Sequence, residues 1–174
     1  HNAIERAPKL AQLLIEAGAA VKADHPNRES ALVRAAKRGQ LEIVRLILSK
    51  YETLPIRKTE GPDLVQAIVL LGDAKLLGEV LQRGAKPNLG PRSKKTPLFE
   101  ALHDDKLALL DVLLKHGAAT KRRYGRNQWT HALHLAVERN QPAVVKRLIR
   151  SGVSPNLADR YGKPAIFSVP NVEM

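Results

Sequence analysis

Apolar residues recur along the chain at a helical spacing, and the apolar stretches end in similar ways. Five segments share a run of aliphatic residues followed by a turn, and in four of them the turn contains glycine. They read LLIEAGA (13–19), RLILSKY (45–51), EVLQRGA (79–85), VLLKHGA (112–118) and RLIRSGV (147–153). Because glycine readily adopts the left-handed conformation that follows a helix, the pattern predicts amphipathic helices with a common way of ending. The first is expected near residues 8–17.

A second apolar block, rich in alanine, precedes most of these helix ends. Its members align on Ala35, Ala67, Ala101 and Ala136, which are 32, 34 and 35 residues apart. Helices of about ten residues are only marginally stable by themselves in water, so each pair must bury its apolar stripe on neighbouring pairs. A repeat of this length therefore predicts an all-α solenoid built from stacked two-helix units.

The alanine-rich blocks contain a recognisable motif. TPLFEA at 96–101 and HALHLA at 131–136 resemble the T-P-L-H-x-A signature of the ankyrin-repeat family, whose unit is about 33 residues long. We therefore expect an ankyrin-repeat solenoid of helix–turn–helix units with projecting finger loops. A finger is the connection from the outer helix of one unit to the inner helix of the next. The resemblance also implies that His134, at the histidine of the signature, makes a structural hydrogen bond at its helix start.

The Thr-Pro pair at the start of the first of these motifs predicts a helix boundary. Threonine is a favourable N-cap, and proline is favourable as the first helical residue because its missing N–H has no partner there. We therefore expect Thr96 to cap a helix that begins at Pro97. This role explains the pair better than a proline-directed phosphorylation site.

The resemblance covers nearly the whole chain, and we predict a single domain over residues 1–174. Its units are 1–23 (partial), 24–55, 56–89, 90–122, 123–156 and 157–174 (partial). Two units depart from the pattern. Each departure indicates either a local bend in the solenoid or sequence divergence without structural consequence. One unit ends in SKYETLP (49–55) rather than in glycine, and the next has an extra residue near Leu71–Gly72. Because the chain begins at His1, we expect it to be a piece of a longer protein.

The composition argues against catalysis and metal binding. The sequence contains no cysteine, which excludes disulfides, thiol catalysis and cysteine-ligated zinc. It contains no P-loop, nucleophile-elbow or dinucleotide-binding motif. His131 and His134 lie three residues apart, but there is no third ligand at a suitable spacing. We expect a non-catalytic protein with no cofactor and no metal site.

Positive charge is the most informative surface property of the sequence. The net charge is +12, and residues 88–174 carry 15 Lys and Arg against 7 Asp and Glu. The segment TKRRYGRNQW (120–129) lies in a finger lengthened by two residues, since Gly117 and Leu133 are 16 residues apart where other units have 14. Neighbouring fingers of a solenoid lie side by side, so we predict one basic finger ridge on the concave face. Its residues are Arg92, Lys94, Lys95, Lys121, Arg122, Arg123, Tyr124, Arg126 and Trp129.

The predicted function is a protein–protein interaction module, or scaffold, that binds an acidic protein surface or peptide on this ridge. The alternative is binding of a polyanion (DNA, RNA or phosphoinositide) through the same ridge, and a third interpretation is that the charge only solvates the surface. Trp129 fits either a binding hot spot or packing at the finger base, and KRRYGR also fits a weak nuclear-import signal. No apolar run approaches the length of a membrane span. We expect a monomeric intracellular module, in the cytoplasm or the nucleus.

Overall fold

The structure, a computed structural model, describes residues 8–22, 29–57, 59–88, 96–103, 106–121, 131–159 and 161–170. These residues form nine α-helices and one 3₁₀-helix, and their only β-pairing is an isolated bridge between Ala158 and Pro164. The prediction of an all-α fold is confirmed. The chain divides into two compact units, His1–Lys86 and Pro87–Met174. The single domain expected over residues 1–174 stays a prediction.

The first unit contains the inner and outer helices of successive repeats. Its described helices are α1 (Pro8–Glu16), α2 (Ala31–Lys37), α3 (Leu41–Lys50), α4 (Gly61–Leu71) and α5 (Ala74–Gln82). The inner helix α2 packs on its own outer helix α3 and on the next inner helix α4, while α4 packs on α5 and α1 packs on α3. Ala35 and Ala36 on α2 are at most 1% exposed, and their small side chains allow close approach of the helices. α1 lies where the apolar pattern predicted a helix.

The second unit repeats this arrangement. Its described helices are α6 (Pro97–His103), α7 (Leu107–Lys115), α8 (Ala132–Glu138) and α9 (Pro142–Arg150). α6 packs on α7 and α8, α8 packs on α9, and α9 packs on α7. The 3₁₀-helix Ala165–Ser168 packs on α8, in the position where a further inner helix would begin. The core is aliphatic, with at most 2% exposure for Leu98, Leu102, Leu109, Leu110, Leu113, Leu133, Val144 and Leu148.

Left-handed glycines end four of the outer helices, as predicted. The φ angles are 86° at Gly18, 94° at Gly84, 78° at Gly117 and 91° at Gly152. After each glycine the next residue donates to a carbonyl five positions back, as Ala19 does to Leu14 at 2.8 Å, which is the Schellman arrangement. Asn140 adopts the same conformation (φ 52°) after α8, in the position that Gly39 occupies after α2. Asparagine is one of the few residues with a side chain that tolerates this region.

The outer helix that lacks a closing glycine ends in a different way. α3 continues to Lys50, and Tyr51 is extended, with φ −126° and ψ 124°. The Arg83 guanidinium donates from Nη1 to the carbonyls of Leu48 (2.7 Å) and Tyr51 (2.6 Å), and from Nη2 to Glu79 (2.6 Å). A side chain from the following repeat therefore satisfies the terminal carbonyls that a Schellman turn would otherwise satisfy. This departure from the repeat pattern has a structural consequence, which is a link between two repeats.

The second departure, the extra residue near Leu71–Gly72, lies within a helix. α4 has 11 residues, whereas the inner helices α2, α6 and α8 have 7 each. Gly72, with φ 82°, then ends α4 in the left-handed conformation. The inner helix is thus longer in this repeat.

Thr96 occupies the capping position that the Thr-Pro pair predicts. Its Oγ1 accepts a hydrogen bond from the backbone N–H of Phe99 at 3.2 Å, and α6 begins at Pro97. Thr96 is only 3% exposed. The capping prediction is confirmed, and the burial of Thr96 leaves it poorly placed for a kinase.

Candidate partner-binding fingers

The fingers are loops with a closed base. Ala31 donates its backbone N–H to the carbonyl of Val21 at 2.8 Å, and Ala132 makes the equivalent bond to Thr120 at 3.4 Å. Val21 and Thr120 each lie three residues after a closing glycine. The first bond encloses the nine residues 22–30, and the second encloses the eleven residues 121–131. The two extra residues inferred from the sequence spacing therefore lie inside the finger.

The finger 121–131 carries most of the predicted basic ridge, and the structure describes only its ends. Lys121 is the first residue inside the closed base, and its side chain is exposed. The other predicted ridge residues lie outside the described part of the chain. They are Arg92, Lys94, Lys95, Arg122, Arg123, Tyr124, Arg126 and Trp129. The ridge as a partner-binding site therefore stays a prediction.

Asn88 joins the bases of two adjacent fingers in the second unit. Its side-chain Nδ2 donates to the carbonyl of Gly117 at 3.2 Å, and its Oδ1 accepts from the backbone N–H of Ala119 at 2.8 Å. One amide thus satisfies both a donor and an acceptor of the next finger, which fixes the two bases side by side. This residue was missed in the sequence analysis. The available signal was the repeated Pro-Asn-Leu at 87–89 and 155–157.

A buried carboxylate performs a similar task in the first unit. Glu60, at the N-cap of α4, is 5% exposed. Its Oε1 accepts from the backbone N–H of Ser30 at 2.9 Å and from Arg57 Nη2 at 2.8 Å, and its Oε2 accepts from the backbone N–H of Arg57 at 2.9 Å. Desolvation on burial pushes the pKa of Glu60 upwards, but the hydrogen bonds from Arg57 and Ser30 together outweigh it. The pKa is therefore lowered from its ordinary value of 4.5.

The structural hydrogen bond that the signature implies for His134 is confirmed. His134 is 2% exposed, and its Nε2 donates to the carbonyl of Lys163 at 3.1 Å. The partner lies in the next finger along the chain, so the bond extends from the start of α8 to the next repeat. The ring centroids of His131 and His134 are 5.9 Å apart. Within the described residues, no three His, Asp or Glu side chains are grouped to hold a metal ion.

The finger that contains Lys163 is held by an aspartate. Asp159 Oδ1 accepts from the backbone N–H groups of Tyr161 (2.8 Å) and Lys163 (2.9 Å), and the Asp159 N–H donates to the Lys163 carbonyl at 2.9 Å. Gly162 has φ 76°, which the tight turn requires. The side chain of Tyr161 is 66% exposed at this turn. Polar side chains thus fix the finger bases in both units.

The sequence family agrees with this architecture. The family described as "Ankyrin repeats (3 copies)" matches residues 64–159, which is more than half of the chain. The chain belongs to the ankyrin-repeat family. Ankyrin repeats are generally protein–protein interaction modules.

Individual relatives match this ankyrin-repeat chain over most of its length. It is 30% identical over 149 residues to "Ankyrin repeat and KH domain-containing protein mask-1" of Caenorhabditis elegans, covering 84% of this chain and 5% of that protein. It is 26% identical over 155 residues to "B-cell lymphoma 3 protein homolog" of Mus musculus, covering 86% of this chain and 34% of that protein. The chain thus spans a small part of each relative.

A solved structure shows the same fold. The crystal structure of the ankyrin repeat domain of Bcl-3 superposes with a TM-score of 0.72 at 22% identity, covering 97% of this chain and 75% of the other. Among the helices of this ankyrin-repeat chain that the structure describes, none has the length and hydropathy needed to span a bilayer.

Proposed function

We propose that this chain is a non-catalytic interaction module that binds an acidic protein surface or peptide through the basic finger ridge. The observation that carries the proposal is the combination of unopposed positive charge with adjacent finger bases in the second unit. Ankyrin-repeat domains generally act as interaction domains without catalysis of their own, which is the class of protein that this chain fits.

The charge pattern supports an acidic partner. Between Asp111 and Glu138 the sequence has five cations and no acidic residue: Lys115, Lys121, Arg122, Arg123 and Arg126. Arginine binds carboxylates through two parallel hydrogen bonds, and a cationic surface accelerates the approach of an anionic partner. A finger with this composition therefore favours acidic side chains over apolar or basic ones.

The contact between finger bases supports a ridge that is continuous over two fingers. Asn88 belongs to the finger that contains Arg92, Lys94 and Lys95, and it is bonded to Gly117 and Ala119 at the start of the next finger. Because the bases are adjacent, we expect the cations of both fingers to act on the same partner. An extended acidic segment, rather than a single carboxylate, is then the expected ligand.

The test compares two variants that have the same net charge. The ridge variant is Lys121→Glu/Arg122→Glu/Arg123→Glu. The control variant is Lys9→Glu/Lys50→Glu/Lys75→Glu, which reverses three exposed lysines on outer helices of the first unit. Immobilised wild type and both variants are used to capture proteins from lysate with and without nuclease treatment. We expect the wild type and the control variant to retain the same proteins with acidic segments, and the ridge variant to lose them.

Two results would contradict the proposal. If the ridge and control variants retain the same proteins, the finger cations only solvate the surface. If retention by the wild type depends on nucleic acid, or binding of a purified duplex weakens with salt at a log–log slope near −0.9 per phosphate contacted, the ridge binds a polyanion instead.

A further inference from the structure

Two hydroxyl residues of the chain are followed directly by proline, and the structure places them in opposite environments. Thr96-Pro97 lies at the start of α6, and Thr96 is 3% exposed. Ser154-Pro155 lies after α9 and outside any helix, and Ser154, Pro155 and Asn156 are all exposed. The first pair caps a helix, so the second is the pair that a modifying enzyme can reach.

The backbone presents Ser154 on a short turn at the start of its finger. Val153 is 5% exposed and anchors the chain after α9, where its N–H donates to the carbonyl of Leu148 at 3.1 Å. The chain then turns, and the N–H of Leu157 donates to the Ser154 carbonyl at 3.1 Å. Pro155 takes the second position of this turn, where the fixed φ of proline is favourable. The hydroxyl and the proline therefore stand side by side outside the packed helices.

The Ser154 hydroxyl contributes little to the fold. Within the described parts of the chain, its Oγ takes part in a single hydrogen bond, as acceptor from the backbone N–H of Asn156 at 3.3 Å. A phosphoserine carries several acceptor oxygens, so this N–H would keep a partner after modification. The turn can therefore hold a phosphoryl group on Ser154 without losing a hydrogen bond.

The exposure of Ser154 is a property of its repeat position. Ser154 lies two residues after the position at which most outer helices end in glycine. Ala20 and Thr53 occupy the same position in the first unit, and both are exposed although the helices of a further repeat follow each of them. Ala119, its equivalent before α8 and α9, is partly exposed. A following repeat does not bury this position.

We infer that Ser154 is a phosphorylation site for a proline-directed serine/threonine kinase. In the reaction, the Ser154 Oγ bonds to the γ-phosphorus of ATP while the bond from that phosphorus to the β–γ bridging oxygen breaks. The hydroxyl proton passes to the catalytic aspartate of the kinase, and ADP leaves. The turn lies outside the helices and its bonds are at the surface, so it can open locally in a kinase cleft. The site contains no residue of the basic finger ridge, and the inference does not depend on the proposed function.

The test incubates the whole chain with ATP and two purified proline-directed kinases, one mitogen-activated and one cyclin-dependent. Tandem mass spectrometry locates and quantifies the phosphoryl groups. Synthetic peptides of residues 148–160 and 90–102 present the two motifs without the fold. With at least one kinase, we expect Ser154 to react in the chain within about threefold of its rate in the peptide. Thr96 should react at least about 100-fold more slowly in the chain than in its peptide, because its hydroxyl is reached only when α6 opens.

Three variants establish which residues the kinase reads. Ser154→Ala should remove the modification. Pro155→Ala keeps the serine hydroxyl and should lower the rate at least about tenfold, because the enzyme discriminates by the residue that follows the acceptor. The control is Asn156→Ala, which changes the next exposed side chain and should alter the rate less than about twofold. Each variant should keep its Tm within about 2 °C of the wild type, because all three positions are exposed.

Any one of four results would overturn the inference. Phosphorylation of the 148–160 peptide without phosphorylation of the chain would mean that the turn protects the hydroxyl. Failure of both kinases on both the peptide and the chain would mean that the motif is not recognised. An undiminished rate in Pro155→Ala would assign Ser154 to a kinase that reads other residues. Equal rates at Ser154 and Thr96 in the chain would show that burial does not select between the two motifs.

Discussion

Ala132 donates its backbone N–H to the carbonyl of Thr120 across 3.4 Å, and this bond closes the base of an eleven-residue finger. Ala31 makes the same bond to Val21 around nine residues. Both fingers close at the same repeat positions. The length of the loop is therefore independent of the packing of the helices on either side. The two extra residues change the reach of the finger and leave the repeat register intact.

Deleting Asn127 and Gln128 is therefore expected to leave the stability of the chain nearly unchanged. The deletion keeps every predicted ridge residue and gives the finger the length of 22–30, and the loop-closure entropy changes by only about 0.2 kcal/mol. The measurement is thermal unfolding by far-UV circular dichroism, with an expected Tm change below about 2 °C. Deleting Leu109 and Leu110 from α7 is the control, and it should prevent cooperative folding. A finger deletion as damaging as the control would show that loop length is coupled to packing.

Glu60→Gln is expected to lower the free energy of unfolding by about 1.5–3 kcal/mol at pH 7, the range for hydrogen bonds to a charged group. The carboxylate accepts hydrogen bonds from Ser30 and Arg57 across two repeats, and the amide can accept only on its oxygen. Urea unfolding at pH 7 measures the loss. Glu42→Gln, at an exposed position of α3, is the control and should change stability little.

The contribution of Glu60 should also depend on pH in one direction. Its folded-state pKa is lowered from 4.5, so as pH falls the unfolded chain takes up the proton before the folded chain does. The stabilisation is therefore complete above pH 4.5 and is lost as pH falls through the lower folded-state pKa. The difference in unfolding free energy between wild type and Glu60→Gln should stay constant from pH 7 down to the ordinary glutamate pKa of 4.5 and narrow as the pH falls further. A difference that stays constant below pH 4.5 as well would mean that charge plays no part.

Arg83→Met is expected to destabilise the first unit by about 1.5–3 kcal/mol, because it leaves the carbonyls of Leu48 and Tyr51 without their donor. Arg83→Lys should recover only part of the loss, since an ammonium cannot reproduce the planar fork of the guanidinium. Hydrogen exchange measured by mass spectrometry should show faster exchange at the end of α3. Equal protection in the wild type and Arg83→Met would argue against a capping role.

Thr96→Ala is expected to cost about 1 kcal/mol, the usual value of an N-cap, and Thr96→Ser should restore most of it. The Thr96 hydroxyl accepts from Phe99 at the start of α6, and serine can make the same bond. Chemical denaturation of the three proteins measures the effect. If the serine variant is as unstable as the alanine variant, the methyl group of Thr96 matters more than its hydrogen bond.

The repeat, the all-α fold and the helix ends could be predicted because each depends on local rules. Apolar spacing, glycine after a helix and threonine before proline act within a few residues of each other, as at Gly117 and Thr96. The links between repeats could not be predicted in the same way. Asn88 bonds to residues about 30 positions away, and Arg83 reaches back to the end of α3. Nothing local distinguishes Arg83 from other polar surface residues, and the only signal for Asn88 is that Pro-Asn-Leu recurs at 155–157.

The candidate site likewise has one feature that the sequence predicted and one that it did not. The insertion between Gly117 and Leu133 was visible as a difference in spacing, and the bond between Thr120 and Ala132 shows that it lies in the finger. The exposure of Ile149 on α9 was not predicted, because the apolar pattern of RLIRSGV is that of any outer helix. Exposure of Ile149 depends on which elements pack against α9 in space, and the spacing of residues along the chain does not specify them.

Because of the contacts of Arg83, we also expect unfolding to spread between these repeats in a preferred direction. In a linear repeat protein, stability is the sum of what each repeat contributes by itself and what each interface adds. The end of α3 is capped by a residue of the following repeat. Part of the stability of α3 therefore comes from the interface between these two repeats. Loss of α5 would therefore release the end of α3, whereas fraying of α3 leaves the Schellman turn after α5 in place. Unfolding is expected to spread towards the N-terminus more readily than away from it.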